Sequence, residues 1–446
     1  MVYRIYGKIH RTLKKILRKE IRGEKISLFN IYESDNTRKV EKISGLALVN
    51  GDLMTDNKIE LSNLFYGENV SSGCVIKSQK STYTESSKYS KIEDAWTRLL
   101  YAAEIPNGWV NSNFLLTGYI EDTKKWCLSS WIWTSAASAR YYASINDYNR
   151  CLKISDEFIR KQEIEGGWIV RHEYPAGVIS KIIAPNDSAY IANNALISAY
   201  KITKNDKYLN SALKCANWII NTSRSDGLVF MSQDKATKKW NAKNNIVDIG
   251  FTAGLFAELY LITNEQKYKK YCENFLDKYI SIFWDEDEKL FHTAIDNKDN
   301  VLGGYFARGQ AWALEGLIPA YIVFKNEKYK TIINQLITSL LKLQKRTGAW
   351  SYNFSHPLMG EDCKGIPVIA KNIGLWHMIT KEKELVEHIK KAYDWCVQHT
   401  HLTGEAAGGI FSYTIEGAVV HSLYTETAFV YSTAYALELS EIINNI

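Results

Sequence analysis

The sequence predicts an all-α protein that folds as an (α/α)6 toroid, with a small irregular or β-containing segment ahead of it. Two observations lead to this fold class. Short turns rich in glycine and aromatic residues recur along the 446-residue chain at intervals of about sixty. Between these turns, segments that are apolar nearly all round alternate with segments that carry one apolar stripe, as the inner and outer helices of a double ring would.

The repeat is regular along most of the chain. Its turns are separated by steps of 59, 60, 61, 60 and 61 residues and centre on Gly108, Gly167, Gly227, Glu288, Gly348 and Gly409. Six units of about sixty residues therefore fill residues 90–446. Because such a length holds two helices and their connections, each unit predicts one helical hairpin.

The two helical patterns within a unit differ in how much of the helix surface is apolar. Residues 187–203 are small or apolar on nearly every side, so neighbours must cover this helix. Residues 207–220 place their apolar side chains on one stripe, which leaves the opposite side for solvent. The contrast returns in the next two units. Six such hairpins predict a closed ring, and an open superhelical solenoid is the alternative.

The composition fits one large globular domain rather than several small ones. Hydrophobic residues make up 46% and charged residues 23%, which excludes a disordered chain. We therefore divide the chain into a basic arm at 1–25, a segment of unknown role at 26–90 and the toroid at 91–446. No run of 18 apolar residues occurs, so we expect no transmembrane helix. The seven cysteines are scattered without a CxxC pair, which predicts a reducing, cytoplasmic location.

The N-terminal arm accounts for the positive charge of the whole chain. Residues 1–25 contain nine Lys or Arg against two Glu, a charge of +7, whereas the full sequence has +6. The apolar residues of the arm fall on one helical face, and a basic amphipathic helix fits an anionic membrane surface, here the inner face of the membrane. The alternative is a solvated helix packed on the toroid. We expect no nucleic-acid partner, because nothing else in the chain supports one.

Charged residues stand where inner helices are predicted to begin, and therefore around one mouth of the ring. They are Asp187, Asp248, Arg308 and Glu426. An aspartate at a helix start is often only an N-cap. Two aspartates one repeat apart in a concave site can also hold their pKa values apart, so that one stays protonated as general acid chemistry requires. Arg308 beside them either pairs with an aspartate or binds a carboxylate of the substrate.

Bulky aromatic residues recur at equivalent places in the turns. Among them, Trp109, Trp168 and Trp350 either plug the turns against the ring or stack on sugar rings at its mouth. The sequence has no Gly-rich phosphate loop at a strand–helix junction, no HExxH and no GxSxG. If some of these aromatic residues stack on sugars, the partner is an oligosaccharide or polysaccharide. We expect neither a metal nor another cofactor.

The most specific stretch joins the turn Leu290-Phe-His-Thr-Ala-Ile-Asp296 to the helix start Ala307-Arg-Gly-Gln-Ala-Trp312. It resembles a signature of the unsaturated glucuronyl hydrolases and unsaturated rhamnogalacturonyl hydrolases, six-hairpin toroids of glycoside hydrolase family 88 and its relatives. The resemblance extends over residues 90–446. It implies that Asp248 is the general acid/base and that Asp187 orients it and tunes its pKa. It also implies a substrate subsite lined by His292, Arg308, Gln310 and Trp312.

The resemblance further implies a reaction that differs from ordinary glycoside hydrolysis. The substrate would be an unsaturated or uronate-containing oligosaccharide whose terminal sugar has a C4=C5 double bond left by a polysaccharide lyase. The acid protonates C4, water adds at C5, and the resulting hemiketal opens. Two other functions stay open for the same toroid. One is surface-polysaccharide biosynthesis, as an epimerase, a lyase or a trimming hydrolase, and the other is non-catalytic glycan binding.

Overall fold

The computed structural model describes most of the chain from residue 91 onward. The described residues are 48–49, 52–53, 91–105, 112–120, 125–126, 129–173, 182–241, 244–302, 304–355, 361–411 and 427–446. The predicted basic arm at 1–25 and nearly all of the segment at 26–90 lie outside these ranges. Two predicted site residues, Trp109 and Glu426, also lie outside the described residues.

Twelve helices occur in the described part of the chain. They are α1 (Lys91–Ala102), α2 (Ile132–Ser144), α3 (Tyr148–Lys161), α4 (Pro185–Ile191, Ala192–Leu196 and Ile197–Thr203 in succession), α5 (Asp206–Thr222), α6 (Val247–Phe251 and Thr252–Thr263), α7 (Gln266–Phe283), α8 (Ala307–Phe324), α9 (Glu327–Leu343), α10 (Gly365–Thr380), α11 (Glu384–Gln398) and α12 (Val430–Ile443). The middle part of α4 is a π-helical turn, and the first part of α6 is a 3-10 turn. The even-numbered helices form an inner ring and the odd-numbered helices an outer one.

The inner ring is closed. Each inner helix packs against the next, from α2 through to α12, and α12 packs in turn against α2. The same helix α12 packs against α1, although the two lie at opposite ends of the described chain. This closure confirms the toroid and excludes the open solenoid. It also shows that the sixth hairpin combines the last inner helix with the first outer one, rather than two consecutive helices.

The sequence patterns account for which helices lie inside. In α8, nearly every residue from Ala307 to Ala320 is buried, because two inner neighbours and an outer helix surround it. In contrast, the outer helix α9 buries a single stripe of residues, namely Tyr329, Ile332, Ile333, Leu336, Ile337 and Leu340. Its apolar side chains recur every three or four residues, so one face packs on the inner ring and the other meets solvent.

The two faces of the ring are built differently. From an inner helix to the following outer helix the connection is short, and four of these turns contain a C-cap residue with left-handed backbone: Lys204, Asn264, Lys325 and Lys381. From an outer helix to the next inner helix the connection is long. These long connections bring the N-termini of the inner helices to one face, which we call the mouth.

Short strands lie along the long connections, apart from the first two, which precede α1. They are β1 (Leu48–Val49), β2 (Asp52–Leu53), β3 (Gly118–Ile120), β4 (Lys125–Trp126), β5 (Ser129–Trp131), β6 (Arg171–Glu173), β7 (Ile182–Ile183), β8 (Ser232–Asp234), β9 (Trp240–Asn241), β10 (Asn244–Ile246), β11 (Trp284–Asp285), β12 (Leu290–Phe291), β13 (Ala294–Asp296), β14 (Val301–Leu302) and β15 (Thr427–Phe429). They pair antiparallel as β1–β2, β15–β3–β4, β5–β6, β7–β8–β9, β10–β13–β14 and β11–β12. Pairing of β15 with β3, with Phe429 opposite Gly118, ties the mouth across the ring closure.

A cluster of four charged side chains crosses the centre of the ring, and we call it the axial charge cluster. Arg140 of α2 donates from Nε and Nη2 to the two carboxylate oxygens of Glu438 on α12, at 2.6 and 2.7 Å. Arg140 also lies 3.4 Å from Glu315 of α8, and Lys371 of α10 binds the same carboxylate. Asn194 of α4 accepts a further hydrogen bond from Arg140. Two cations and two anions therefore join four of the six inner helices, and the amide of Asn194 adds a fifth.

The structure adds two observations that concern location. The five cysteines in the described ranges are buried free thiols. Among the described residues, no helix combines the length and the apolar character needed to cross a membrane. Neither observation tests the cytoplasmic location, which stays a prediction.

Candidate active site

Asp187 lies at the mouth, in the first turn of α4. The helix begins at Pro185, whose fixed φ suits the first helical position. Its N-cap is Ala184, so the alternative that Asp187 caps the helix is wrong. The Asp187 carboxylate accepts a hydrogen bond of 3.3 Å from Asn186 Nδ2. The carboxylate of Asp187 is thus placed at the face where the inner helices begin, without serving as a cap.

Asp248 is the second residue of the 3-10 turn that opens α6, and only 6% of it is exposed. The N-cap of this turn is Ile246, so Asp248 is not a cap either. The preceding residue, Val247, is bonded through both of its backbone polar groups. Its N–H donates to Thr293 O at 2.9 Å, and its carbonyl accepts from the Tyr279 hydroxyl at 2.9 Å. The outer helix α7 therefore helps to fix the position of the Asp248 carboxyl through Tyr279.

Glycines let the inner helix α8 approach this turn at backbone distance. A Cβ on Gly316 would overlap the carbonyl oxygen of Gly250, and a Cβ on Gly309 would overlap the side chain of Val247. On the other side of the turn, a Cβ on Gly250 would lie 2.6 Å from the Tyr279 hydroxyl. The turn that carries Asp248 is therefore held between α7 and α8 with no room for an added methyl group.

Replacing Gly316 by Ala is expected to destabilise the protein by about 1–3 kcal/mol, because the new methyl group must displace backbone in a packed core. It should also lower kcat, since the displaced turn carries Asp248. Urea unfolding and turnover measured on the same preparation check both effects. Gly374→Ala on α10 is the matched control, because the three atoms nearest to its added methyl group all belong to the side chain of Ile442 and none to the backbone. If both variants had the same free energy of unfolding and the same kcat, the close contact between Gly316 and the turn of Asp248 would not matter.

The two carboxyls have strongly perturbed acidities. Burial, together with the negative charge of Asp248, raises the pKa of Asp187 from its usual 3.8 to about 7. Burial likewise raises the pKa of Asp248 to about 7, against the opposing effect of the cations Arg308 and Lys364. Because each charge disfavours ionisation of the other group, one of the two carboxyls stays protonated near neutral pH. This is the state that proton donation to a substrate needs.

Two buried cations are near enough to Asp248 to lower its pKa. Arg308, in the first turn of α8, is 1% exposed, and its Nη1 lies 4.0 Å from Asp362 Oδ1. The same guanidinium lies over the ring of Tyr352 at 5.4 Å. Lys364, the N-cap of α10, is 2% exposed, and its ammonium lies 4.4 Å from the ring centre of Phe429. The mouth therefore combines acid groups with buried positive charge.

An aromatic layer lies one helical turn inward from the charged residues of the mouth. Trp312, one turn after Arg308, meets the ring of Phe251 edge-on at 5.6 Å and that of Tyr190 at 6.3 Å. Tyr431 and Tyr435 of α12 contact the same indole at 6.3 and 6.1 Å. Trp312 is almost fully buried, and within the described residues its indole N–H has no hydrogen-bond acceptor. The layer closes the floor of the mouth with rigid rings.

Three other predicted site residues are bound to the protein itself. The amide of Gln310 is fully buried and pairs with the backbone of Phe291 at 2.7 and 2.8 Å, so it holds strand β12. The indoles of Trp168 and Trp350 are buried and donate to outer-helix carbonyls ten residues earlier, at 2.7 and 2.8 Å. These two tryptophans therefore plug their turns, and the expectation that they stack on sugar is corrected.

His292 lies on the rim, and among the described residues it contacts neither Asp187 nor Asp248. Its Nε2 is 3.2 Å from Asp285 Oδ2, and its ring stacks on Tyr305 with centroids 5.1 Å apart. Burial lowers the pKa of His292 below its usual value, so the imidazole is neutral at pH 7. Tyr305 donates to the same carboxylate at 2.7 Å. His292, Asp285 and Tyr305 thus form a local unit in the fourth long connection.

Sequence reasoning missed three residues of the site: Asp362, Lys364 and Tyr352. Asp362 is fully buried and precedes α10, so its place in the repeat, just before an inner helix, was a usable signal. Tyr352 belongs to a recurrent aromatic turn, and no feature of the sequence singles out Lys364. Across the part of the chain that the structure describes, no three His, Cys, Asp or Glu side chains are grouped as metal ligands would be.

Comparison with known proteins assigns the family. The sequence model described as Glycosyl Hydrolase Family 88 matches residues 128–437, which include both aspartates, Arg308 and Trp312. The chain belongs to glycosyl hydrolase family 88. It is therefore a glycoside hydrolase, and the resemblance found in the sequence is confirmed. Among curated proteins, none matches this family 88 chain.

Solved structures share the toroid of this family 88 protein. Unsaturated glucuronyl hydrolase from Bacillus sp. GL1, described as responsible for glycosaminoglycan degradation, has 13% identity and a TM-score of 0.60 over 80% of this chain and 96% of its own. A variant of such an enzyme with the tetrasaccharide dGlcA-Glc-Rha-Glc has 13% identity and a TM-score of 0.61 over 80% and 96%. Cellobiose 2-epimerase from Bacillus thermoamylovorans B4167 has 12% identity and a TM-score of 0.65 over 80% and 97%. At these identities the likeness concerns the fold alone.

Proposed function

We propose that this family 88 protein hydrolyses oligosaccharides that end in an unsaturated uronate. One observation carries the proposal. Two carboxyls with pKa values raised to about 7 lie on adjacent inner helices, beside two buried cations. The raised pKa values supply a proton donor near neutral pH, and the cations Arg308 and Lys364 supply partners for the uronate carboxylate.

Asp248 is the proton donor in this proposal. Its carboxyl gives a proton to C4 of the C4=C5 double bond, and positive charge develops at C5. The resulting carboxylate then takes a proton from water as the water oxygen bonds to C5, which restores the acid and leaves a hemiketal. The hemiketal opens by breaking C5–O5, which leaves a ketone at C5 and a hemiacetal at C1. The hemiacetal then breaks its C1–O bond to the leaving sugar, which keeps the proton, and C1 becomes the aldehyde of an open-chain uronate. Water adds at C5 and not at the anomeric carbon, and no covalent bond between enzyme and sugar is required. The carboxylate-separation rule of ordinary glycosidases therefore does not apply.

Asp187 tunes and orients the donor. Its charge and that of Asp248 repel each other, which favours the state with one shared proton over the state with none. Arg308 binds the substrate carboxylate, since a guanidinium matches the two oxygens of a carboxylate. The aromatic layer around Trp312 excludes water from the inner side of the site, and this strengthens the interactions between charges.

An absorbance assay tests the function. The enol ether of the unsaturated uronate absorbs ultraviolet light, and hydration at C5 removes this absorbance. We expect the protein to bleach unsaturated disaccharides made by polysaccharide lyases, with the saturated counterparts as controls. Mass spectrometry of the products separates the alternatives, because hydrolysis adds one water whereas epimerisation leaves the mass unchanged. Failure to bleach any unsaturated uronyl oligosaccharide would contradict the proposal.

The same assay predicts a pH dependence. Because the two raised pKa values lie at about 7, the proton donor is lost as the pH rises through that value. We expect kcat/KM to be largest below neutral pH and to fall towards about tenfold per pH unit above it. A rate that stays constant from about pH 6 to about pH 9 would show that no carboxyl of raised pKa donates the proton.

A further inference from the structure

A cavity of about 270 Å³ opens at the outer margin of the mouth. It lies between the segment that follows the outer helix α5, the strands β9 and β10, and the turn between β13 and β14. Its lining includes Arg224, Phe230, Met231, Asn241, Asn245 and Asn297. The proposed catalytic residues Asp187 and Asp248 do not line it. Its volume is just below the usual range for small-molecule sites, so it suits a ligand of about one sugar ring.

The cavity is close to the proposed donor along the chain. Asn245 in β10 precedes Asp248 by three residues, and three residues of fully extended chain span at most about 11 Å. A short oligosaccharide is long enough to cover that distance. One chain can therefore place its terminal sugar at Asp248 and a later sugar at the cavity.

The aromatic wall of the cavity is rigid. Phe230 is partly exposed and stacks on Trp240, with centroids 5.2 Å apart and planes 27° apart. Trp240 in turn packs on Trp218, which is buried. One face of Phe230 is thus held by other rings, and no ordering of the ring is needed on binding. Aromatic faces of this kind pack against the C–H groups on the apolar face of a pyranose.

The polar wall of the cavity is made of side-chain amides. Asn245 is 2% exposed, and its orientation is fixed by a bond from Nδ2 to Val229 O at 2.6 Å and one from Ile246 N to Oδ1 at 3.1 Å. An amide has two N–H groups and an oxygen with two lone pairs, so Asn245 keeps both donor and acceptor capacity. Asn297 is exposed at the turn between β13 and β14. Groups that both donate and accept match the hydroxyls of a sugar.

Formal charges beside the cavity cancel. Arg224 binds Asp226 at 2.7 Å and Asp299 at 3.1 Å, and Lys278 lies 3.6 and 3.4 Å from the same two carboxylates. Two cations face two anions, so this wall offers no net charge to a uronate or a sulfate. An uncharged ligand is therefore favoured over a charged one.

We propose that this cavity binds an uncharged pyranose unit of an oligosaccharide whose terminal sugar occupies the active site. The inference rests on the proposed function for the identity of that oligosaccharide. The shape, the aromatic wall and the cancelled charge are independent of it. A free neutral sugar and an internal unit of a longer chain present the same chemistry, and the two experiments below distinguish these sources.

Calorimetry with two probes tests the coupling to the active site. The probes are the tetrasaccharide dGlcA-Glc-Rha-Glc and the disaccharide dGlcA-Glc, titrated into proteins that also carry Asp248→Asn to prevent turnover. We expect Phe230→Ala to weaken tetrasaccharide binding about tenfold relative to disaccharide binding. Phe324→Ala is the matched control, because Phe324 is also partly exposed but ends α8 at the opposite face. Equal weakening of both probes, or of neither, would overturn the proposal.

A second measurement separates this cavity from the proposed function. Saturation-transfer NMR with methyl glucoside needs no unsaturated substrate. We expect a signal with the unmodified protein that Phe230→Ala removes and Phe324→Ala keeps. If neither oligosaccharide binds while this pattern holds, the proposed function fails and the cavity stands as a site for a free neutral sugar. A glucoside signal that persists in Phe230→Ala, or no signal at all, would refute the cavity as a sugar site.

Discussion

Replacing Asp248 by Asn is expected to lower kcat/KM on an unsaturated uronyl oligosaccharide by about 10²- to 10⁴-fold, the usual contribution of a positioned general acid. Asn keeps the volume and polarity of the side chain but has no acidic proton to give to C4. Substrate binding should change far less than kcat, because the cations that face the uronate are kept. The loss of ultraviolet absorbance under single-turnover and steady-state conditions measures both.

A surface aspartate provides the control for this variant. Asp277 on α7 is more than half exposed and pairs with Lys328 at 2.7 Å, so Asp277→Asn should leave turnover unchanged. If Asp248→Asn retained turnover within a factor of about three of Asp277→Asn, Asp248 would not be the acid. The proposed function would survive that result only with another donor, and Asp187→Asn would then be the variant to measure.

The variant Asp248→Asn should be more stable than the unmodified protein in alkaline solution. Between about pH 4 and about pH 7 the folded chain binds more protons at Asp248 than the unfolded chain, because folding raises this pKa. The free energy of unfolding therefore falls as the pH rises through this window. Asn has no charge to bury, so its advantage in thermal unfolding should appear above neutral pH and vanish in acid. This separates a lost proton donor from a misfolded enzyme.

Replacing Arg140 by Met is expected to lower the free energy of unfolding by about 3 kcal/mol or more. Arg140 donates two hydrogen bonds to the carboxylate of Glu438 and also contacts Glu315 and Asn194. Its removal leaves the two carboxylates of the axial charge cluster with Lys371 as their remaining cation inside the ring. Urea unfolding followed by tryptophan fluorescence measures the change.

The double variant Arg140→Met with Glu438→Met distinguishes a stranded charge from lost packing. It removes one cation and one anion, so the remaining Lys371 and Glu315 still balance, and we expect it to be more stable than Arg140→Met alone. Lys328→Met is the surface control, since its pair with Asp277 is half exposed and worth at most about 1 kcal/mol. If Arg140→Met lowered the free energy of unfolding no more than Lys328→Met does, the axial charge cluster would not stabilise the fold.

Much of the fold was predictable because the same pair of helical patterns recurs in each unit of about sixty residues. A helix that is apolar all round, such as residues 187–203, can only be an inner helix, and one with a single stripe, such as residues 207–220, can only be an outer one. Counting sixty residues per unit then placed the starts of the inner helices within a few residues. Pairing of α12 with α1 was missed, because it joins distant parts of the chain and leaves no local pattern.

The site was less predictable, because its chemistry depends on depth and direction rather than on spacing. Register alone placed Asp187 and Asp248 at the mouth, where the structure has both. It could not tell that Trp168 donates its indole N–H to an outer-helix carbonyl, since a plug and a sugar platform have the same spacing. Nor could it find Lys364, whose electrostatic effect on Asp248 arises only when α6, α8 and α10 pack side by side.

The pairing of α12 with α1 also has a consequence for biosynthesis. The ribosome makes α1 early and α12 only some 330 residues later, so the nascent chain must hold an incomplete arc of hairpins until the final inner helix emerges. Contacts between such distant segments form slowly, because a long loop must close first. During that interval the apolar sides of α1 and α2 that α12 will cover remain uncovered. A chaperone that binds apolar helices would therefore find its target at this open seam.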